Sequence, residues 1–331
     1  MIYYLVTSRY SSPIRRLLRG VAELRDTICY MTYEELFFQL SAPIGHYIFG
    51  DIDRLSRYER ETAGNFADAM RRAAPAAHLL NDPVLTLDRV PLLAALARAG
   101  INDFAAVRLD TGARPSGFPV FIRTEDGHFG PETDLLPDEA GFDAALDDLQ
   151  ARGFPLRGRI AVGYAGKPNA DGRFRRYSAY KIGDRLFADE LFVSEHWAVK
   201  DAVALWDRQT IAEELDFVRA NPHEDVLRNA FAVGHVDFGR ADYGVVDGRV
   251  QVYEINTNPI FAIGPRDDGR SQRRALAEQA TIDAFRALDT PVGKGGRVKF
   301  SKAGLRSHAL RWPSGWRLAT SMVRRLARPP D

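Results

Sequence analysis

The chain has 331 residues, 45% of them apolar and 27% charged, with a formal net charge of +1. That is enough apolar material for one large core or two modest ones, and it excludes disorder throughout. No apolar run is long enough to span a bilayer, and a single cysteine excludes a disulfide framework within one chain.

The apolar start, Met1 to Val6, lacks a basic lead and a small-residue cleavage site, so it reads as a first strand rather than a signal peptide. The cytoplasm is the expected location. Ile14, Leu17, Leu18, Val21 and Leu24 recur at helical spacing, and Ile28 to Met31 is strand-like again, with Cys29 expected as a buried structural thiol. A short helix near Glu34 to Gln39 and a strand at Tyr47 to Phe49 follow. Leu55, Tyr58, Thr62, Phe66, Ala69 and Met70 then trace one helix face. This βαβ rhythm predicts a small parallel sheet over residues 1–80.

A strand ends at Asn81-Asp82-Pro83, and Leu87 to Ala99 forms a helix stopped by Gly100. Strands are expected at Phe104 to Leu109, Phe118 to Ile122, Ile160 to Ala165, Arg173 to Ile182 and Arg185 to Val193, with a helix at Phe142 to Gln150. Asn221-Pro222 is expected to open a further helix, which Gly234 ends. This second region, residues 81–291, has α+β organisation.

The most informative stretch runs from Val236 to Pro259. Two strands flank Asp247-Gly248, a strong hairpin signal. Glu254 and Asn256 are two apart and share a face. A two-residue turn would set Asp242 opposite Tyr253 and split Asp242 and Glu254 between faces. A three-residue loop, Val246-Asp247-Gly248 with Gly248 in a left-handed bulge, instead pairs Arg240 with Glu254 and Asp242 with Val252, on one face. The bulged loop is the expectation, because Mg²⁺ needs several oxygens converging on it. The plain alternative is a solvated hairpin with a polar face.

Arg240-x-Asp242, a hairpin and then Glu254-x-Asn256-Thr257-x-Pro259 resembles the metal-binding end of the ATP-grasp superfamily, of the D-alanine–D-alanine ligase and glutathione synthetase type. The resemblance implies that Asp242, Glu254 and Asn256 hold Mg²⁺, or Mn²⁺, against the phosphates of ATP. It implies that Arg240 stabilises charge on the transferring group. Upstream, Arg89 and Arg123 stand where that family has phosphate-contacting lysines, and Gly127-His128-Phe129-Gly130 resembles its loop over the triphosphate. Ala161-Val162-Gly163-Tyr164-Ala165 occupies the strand leading into the adenine pocket, where Tyr164 would meet the nucleotide and the usual acidic contact to the ribose is missing. The resemblance spans about residues 78–290.

Arg175, Arg176 and Lys181 alternate with aromatics on one predicted strand and could hold a substrate carboxylate or phosphate, but a solvated basic face is at least as good a reading; the cluster of Ser194 to Trp197 with Lys200 is similarly ambiguous. From Val292 to Asp331 ten Lys and Arg face one acid, a local +9 that leaves −8 on residues 1–291 because the total is +1. Trp316, Ala319, Met322, Val323 and Leu326 fall at helical spacing there. Such a tail could dock on the acidic body, lie on an anionic membrane or bind nucleic acid, a docked or frayed extension being the favoured reading.

The expected fold is α/β and α+β: an N-terminal βαβ domain (1–80) like those that precede ATP-grasp domains, an ATP-grasp domain of two α+β subdomains (81–291), and the basic amphipathic tail (292–331). The expected function is Mg-ATP-dependent ligation, activating a carboxylate as an acyl phosphate for capture by an amine. Phosphotransfer to a hydroxyl, or a nucleotide-binding adaptor without turnover, is the alternative. The expected partners are a small-molecule or peptide carboxylate and an amine; peripheral membrane contact through the tail is the alternative to its docking, and nucleic acid is not expected.

Overall fold

The computed structural model describes residues 1–127, 130–200, 203–264, 268–293, 295–303 and 305. The chain divides into two compact units. The first is Met1–Thr86 with Thr257–Phe261 and Ile282–Asp331; the second is Leu87–Asn256 with Ala262–Thr281.

The first unit begins with β1 (Ile2–Val6), α1 (Ser12–Gly20), β2 (Ile28–Thr32), α2 (Tyr33–Phe38), β3 (Ala42–Pro43), β4 (His46–Phe49), α3 (Arg57–Ala73) and β5 (Leu79–Leu80). The sheet order is β2-β1-β4-β5 and every pairing is parallel, as the βαβ rhythm requires. Thr32 with Glu35, and Ser56 with Glu59, close capping boxes at the starts of α2 and α3, which fixes where each helix begins. Phe66 of α3 meets Tyr47 of β4 edge-on at 4.7 Å inside a core that includes Leu5, Phe49 and Met70. Cys29 is exposed, which corrects the expectation of a buried thiol. It lies on β2, the edge strand, where Ile28, Met31 and Thr32 are covered but Cys29 and Tyr30 are not.

The second unit contains α4 (Arg89–Arg98), β6 (Ala106–Arg108), β7 (Val120–Thr124), α5 (Glu139–Ala151), β8 (Arg159–Gly163), β9 (Phe174–Ile182), β10 (Arg185–Ser194), α6 (Arg208–Ala220), α7 (Glu224–Val233), β11 (Phe238–Val246) and β12 (Arg249–Asn256). Two antiparallel sheets result, β6-β8-β7 and β10-β9-β11-β12. Phe142 and Leu149 of α5 pack on Val120, Ile122 and Ala161 of the smaller sheet. Leu92, Leu93 and Leu96 of α4, with Leu227 and Phe231 of α7, join Ala179, Ala241 and Val252 of the larger sheet in one core.

Asn221 does not open a helix. It is the C-terminal cap of α6, in the left-handed region at φ 43°, and α7 begins at Glu224 behind His223, with no side-chain cap. Asparagine tolerates that backbone because its short amide bonds locally; here it donates to the Leu186 carbonyl at 3.1 Å and to Glu224 at 3.0 Å.

After β12 come α8 (Ser271–Leu288) and β13 (Arg297–Val298). β13 pairs antiparallel with β3, and Val298, Phe300 and Leu305 pack on the first unit's core. The opening of the basic segment is thus held against that unit. Its Trp316 to Leu326 stripe lies outside the described residues.

Candidate functional site

The β11–β12 hairpin carries the acidic pair, and its register differs from the expected one. The turn is the two-residue Asp247-Gly248, both residues at positive φ (51° and 78°), with Val246 opposite Arg249. The expected three-residue loop is therefore not formed. The ladder shifts instead at Tyr253, which is left unpaired, so that Tyr243 faces Val252 while Asp242 faces Glu254 and Arg240 faces Asn256. Directly opposed residues project to the same side of an antiparallel pair. The four side chains share one face after all, through a bulge in the strand and not in the loop.

Asp242 and Glu254 line a cavity of about 210 Å³ together with Arg89, Arg123, Gly130, Tyr164, Arg176 and Lys200. Arg240 and Asn256 stand two residue pairs along, outside that lining. Gly127 is next to it: its carbonyl accepts from Arg123 at 2.5 Å and from Arg89 at 3.4 Å. His128 lies outside the described residues.

The charges in this cavity hold one another. Arg89 is ion-paired to Glu254 through Nη2, and Arg123 Nη1 stands 3.7 Å from the same carboxylate. Burial, then the neighbouring Arg89, lowers the pKa of Arg123, and Glu254 offsets part of that. Arg240 Nε donates to Asp242 at 2.9 Å, and Arg176 Nη1 lies 3.8 Å from the other Asp242 oxygen. Burial alone would lower the pKa of Arg240, but Asp242, Tyr180, Glu190 and Asp189 outweigh it and hold the guanidinium well above its ordinary value. Nε of Arg89 and Nε of Arg176 are buried with no hydrogen-bond partner among the described residues.

Part of the lining is aromatic. Trp197 lies 5.3 Å from Phe121 and 5.1 Å from Tyr164, whose hydroxyl donates to the Trp197 carbonyl at 3.3 Å. Phe104, Val162, Val199 and Tyr253 complete it. Gly163 is fixed by packing: a Cβ there would stand 3.0 Å from the Phe104 Cβ and 3.4 Å from the Ala105 carbonyl.

Behind Arg240 lies a buried ion network. Arg240 Nη1 is 3.8 Å from Glu190, whose other oxygen accepts from Arg273 at 2.9 Å and Arg270 at 3.2 Å. Glu214 accepts from Arg270 at 2.6 and 2.8 Å, and Asp189 from Arg273 at 3.2 Å. Burial and the adjacent Glu190 push the Asp189 carboxyl up to about 7. For Glu190 burial acts upward, and Arg273, Arg240 and Arg270 together bring it below the usual range.

Of the clusters that sequence reasoning left undecided, Arg176 and Lys200 belong to the cavity. Arg175 also borders it but is bound to Asp171 and Glu213, and Lys181 is buried against Asp237 and the Val236 carbonyl. Trp197 comes from the same cluster as Lys200, whereas Phe104, Phe121 and Tyr253 were not singled out as site residues. Nothing in their spacing marks them, because they converge from separate strands and loops.

Two carboxylates and an amide make an all-oxygen donor set, which suits a hard cation such as Mg²⁺ or Mn²⁺. Among the described residues no three His, Cys, Asp or Glu side chains form a metal-holding group. Such an ion would need further oxygens, of the kind a phosphate chain brings.

The fold class is mixed α/β: a parallel sheet in one unit and two antiparallel sheets, one bearing the acidic hairpin, in the other. No protein-family model matches the chain, and no curated protein matches it. Among solved structures it is similar to the RimK domain protein ATP-grasp from Sphaerobacter thermophilus (14% identity, TM-score 0.49, 88% of this chain and 100% of that one). It is also similar to D-alanine–D-alanine ligase from Bacillus anthracis complexed with ATP (11%, 0.44, 86% and 98%) and to L-amino acid ligase from Bacillus licheniformis (10%, 0.45, 86% and 74%). At these scores the likeness carries no functional argument, which rests on the side chains of the cavity.

Proposed function

We propose that this chain is an ATP-dependent ligase of the ATP-grasp type, activating a carboxylate as an acyl phosphate that an amine then captures. One observation carries the reading. The opposed pair Asp242 and Glu254 forms part of a cavity that is lined both by the cations Arg89, Arg123, Arg176 and Lys200 and by the aromatic side chains of Phe121, Tyr164 and Trp197. Cations meet a polyphosphate, and flat aromatic surface meets a base.

In this reading Asp242, Glu254 and Asn256 would hold a divalent cation, which supplies charge neutralisation at the phosphates. Arg89, Arg123 and Lys200 orient the phosphate chain. Arg240, fixed by Asp242 and Glu190, presents its donors to the oxygens that gain charge as the phosphoryl group moves to the carboxylate. The aromatic part of the lining keeps water from the nucleotide's base.

The test is calorimetry of ATP binding with and without Mg²⁺, on wild type and on the Glu254→Ala, Asn256→Ala double variant. Binding whose metal-dependent part is lost in the double variant supports the reading, and ADP release would then be screened over carboxylates and amines. Wild type that does not bind ATP at all sinks it. ADP release with a hydroxyl acceptor and no amine would move the assignment to phosphotransfer.

A further inference from the structure

Both carboxylates of the hairpin pair are already taken. Glu254 is flanked by Arg89 and Arg123, and Asp242 by Arg240 and Arg176. None of these six side chains is more than 22% exposed. Four guanidiniums around two carboxylates leave a formal surplus of two positive charges where a divalent cation would have to sit. A guanidinium does not escape by losing its proton, as a buried lysine can.

We propose that these four arginines make the metal subsite conditional. It excludes the free divalent cation and admits it only with a polyphosphate, and Arg176 is one of the residues that receives that anion. This rests on the reading of the cavity as a phosphate site and adds the order of events within it.

The buried Nε atoms of Arg89 and Arg176 are the structural sign. Each guanidinium reaches a carboxylate yet leaves one donor without a partner among the described residues, a costly state for a buried polar group. Both side chains line the cavity, so an anion with several oxygens there can draw the guanidiniums from the carboxylates and let them turn these donors toward it. A triphosphate carries three to four negative charges, so its arrival turns the local surplus of two positive charges into a deficit. The carboxylate oxygens then face the cation instead of the arginines. Linkage makes the effect reciprocal: the cation must raise the affinity for the polyphosphate by the same factor.

The experiment is equilibrium dialysis of Mn²⁺ against the full-length chain, with and without inorganic triphosphate in both chambers. The excess metal on the protein side is the readout, so turnover is not involved. Wild type is expected to retain Mn²⁺ only with triphosphate, with at least about tenfold coupling. The Arg123→Gln, Arg176→Gln double variant is expected to retain Mn²⁺ without triphosphate, at least about tenfold more tightly than wild type does.

Wild type that holds Mn²⁺ equally well in both conditions overturns this inference and leaves the proposed function standing. So does a folded double variant, checked by circular dichroism, that gains no metal. If the variant does not fold, titrating triphosphate at fixed Mn²⁺ on wild type decides: rising retention supports the inference and flat retention overturns it. Wild type that retains no Mn²⁺ in either condition and binds no ATP by calorimetry removes both the inference and the functional reading.

Discussion

Asp242 faces Glu254 across the β11–β12 ladder because Tyr253 is left unpaired between Val252 and Glu254. A regular ladder continued from the Asp247-Gly248 turn would send Asp242 and Glu254 to opposite faces. Gly244 makes room for the displaced tyrosine, since a Cβ on it would stand 2.1 Å from the Tyr253 hydroxyl oxygen. Gly244→Ala is therefore expected to cost about 1–3 kcal/mol of stability through overpacking. Combined with Tyr253→Ala, that cost should largely vanish, giving a coupling of at least about 1 kcal/mol in urea unfolding. Strict additivity of the two substitutions would show that this contact does not shape the hairpin.

The network behind Arg240 predicts a contrast between two glutamates. Glu190→Ala leaves Arg240, Arg270 and Arg273 short of a buried counter-charge and is expected to cost about 3–5 kcal/mol. Glu224, paired with Arg228 on the exposed side of α7, should cost under about 1 kcal/mol when changed to Ala. Chemical denaturation of the two variants side by side checks this. A loss at Glu190 as small as that at Glu224 would mean that the network contributes nothing.

In the first unit Asp51 follows β4 in the left-handed conformation (φ 57°), buried, bonded to Thr7 and 2.8 Å from Arg54. Burial raises its carboxyl from 3.8 to about 6, and the bonds from Thr7 offset only part of that. The folded pKa lies above the unfolded one, so its contribution to stability is full below pH 3.8 and lost as pH rises through about 6. Asp51→Asn should gain on wild type by up to about 3 kcal/mol between pH 4 and pH 7.5. His46 has the opposite slope. Burial lowers its pKa, its Nδ1 accepts from the His78 amide at 2.9 Å and its Nε2 donates to the Thr290 carbonyl at 2.7 Å. That contribution is present above the unfolded pKa of about 6.5 and lost as pH falls below it. The difference between variant and wild type cancels it, and a pH-independent difference would rule out titration of Asp51.

Gly163 yields a negative prediction. Placing an acid there by Gly163→Glu should not raise nucleotide affinity, because the new Cβ meets the Phe104 side chain and the Ala105 carbonyl. A loss of about 1–3 kcal/mol is expected instead. Unchanged melting with tighter ATP binding would contradict it.

Much of this was legible in the sequence, for identifiable reasons. The parallel sheet of the first unit followed from apolar runs alternating with helical spacing, and the hairpin from Asp247-Gly248. Arg240, Asp242, Glu254 and Asn256 were legible as a group; the register that unites them was not, because Val250 to Ile255 reads as ordinary alternation and an unpaired residue leaves no compositional mark. Helix α6 was hidden because its inward face carries Thr210 and Glu214 as well as Phe217, so hydrophobic periodicity fails. α8 was hidden for a related reason, since Arg270, Arg273 and Arg274 are buried at its start. Cys29 misled because an apolar neighbourhood in sequence does not say which face of an edge strand is covered.

The same buried network bears on how the chain is made. Asp189, Glu190 and Glu214 all precede their partners Arg240, Arg270 and Arg273 in the sequence, and 80 residues separate Glu190 from Arg270. At roughly 5–20 residues per second, a ribosome needs on the order of 4–16 s to cover that interval. During that time the acids of β10 and α6 have emerged without the arginines that neutralise them. The larger sheet of the second unit therefore reaches charge balance only once the first turns of α8 are synthesised, which makes that helix the closing step of its vectorial assembly.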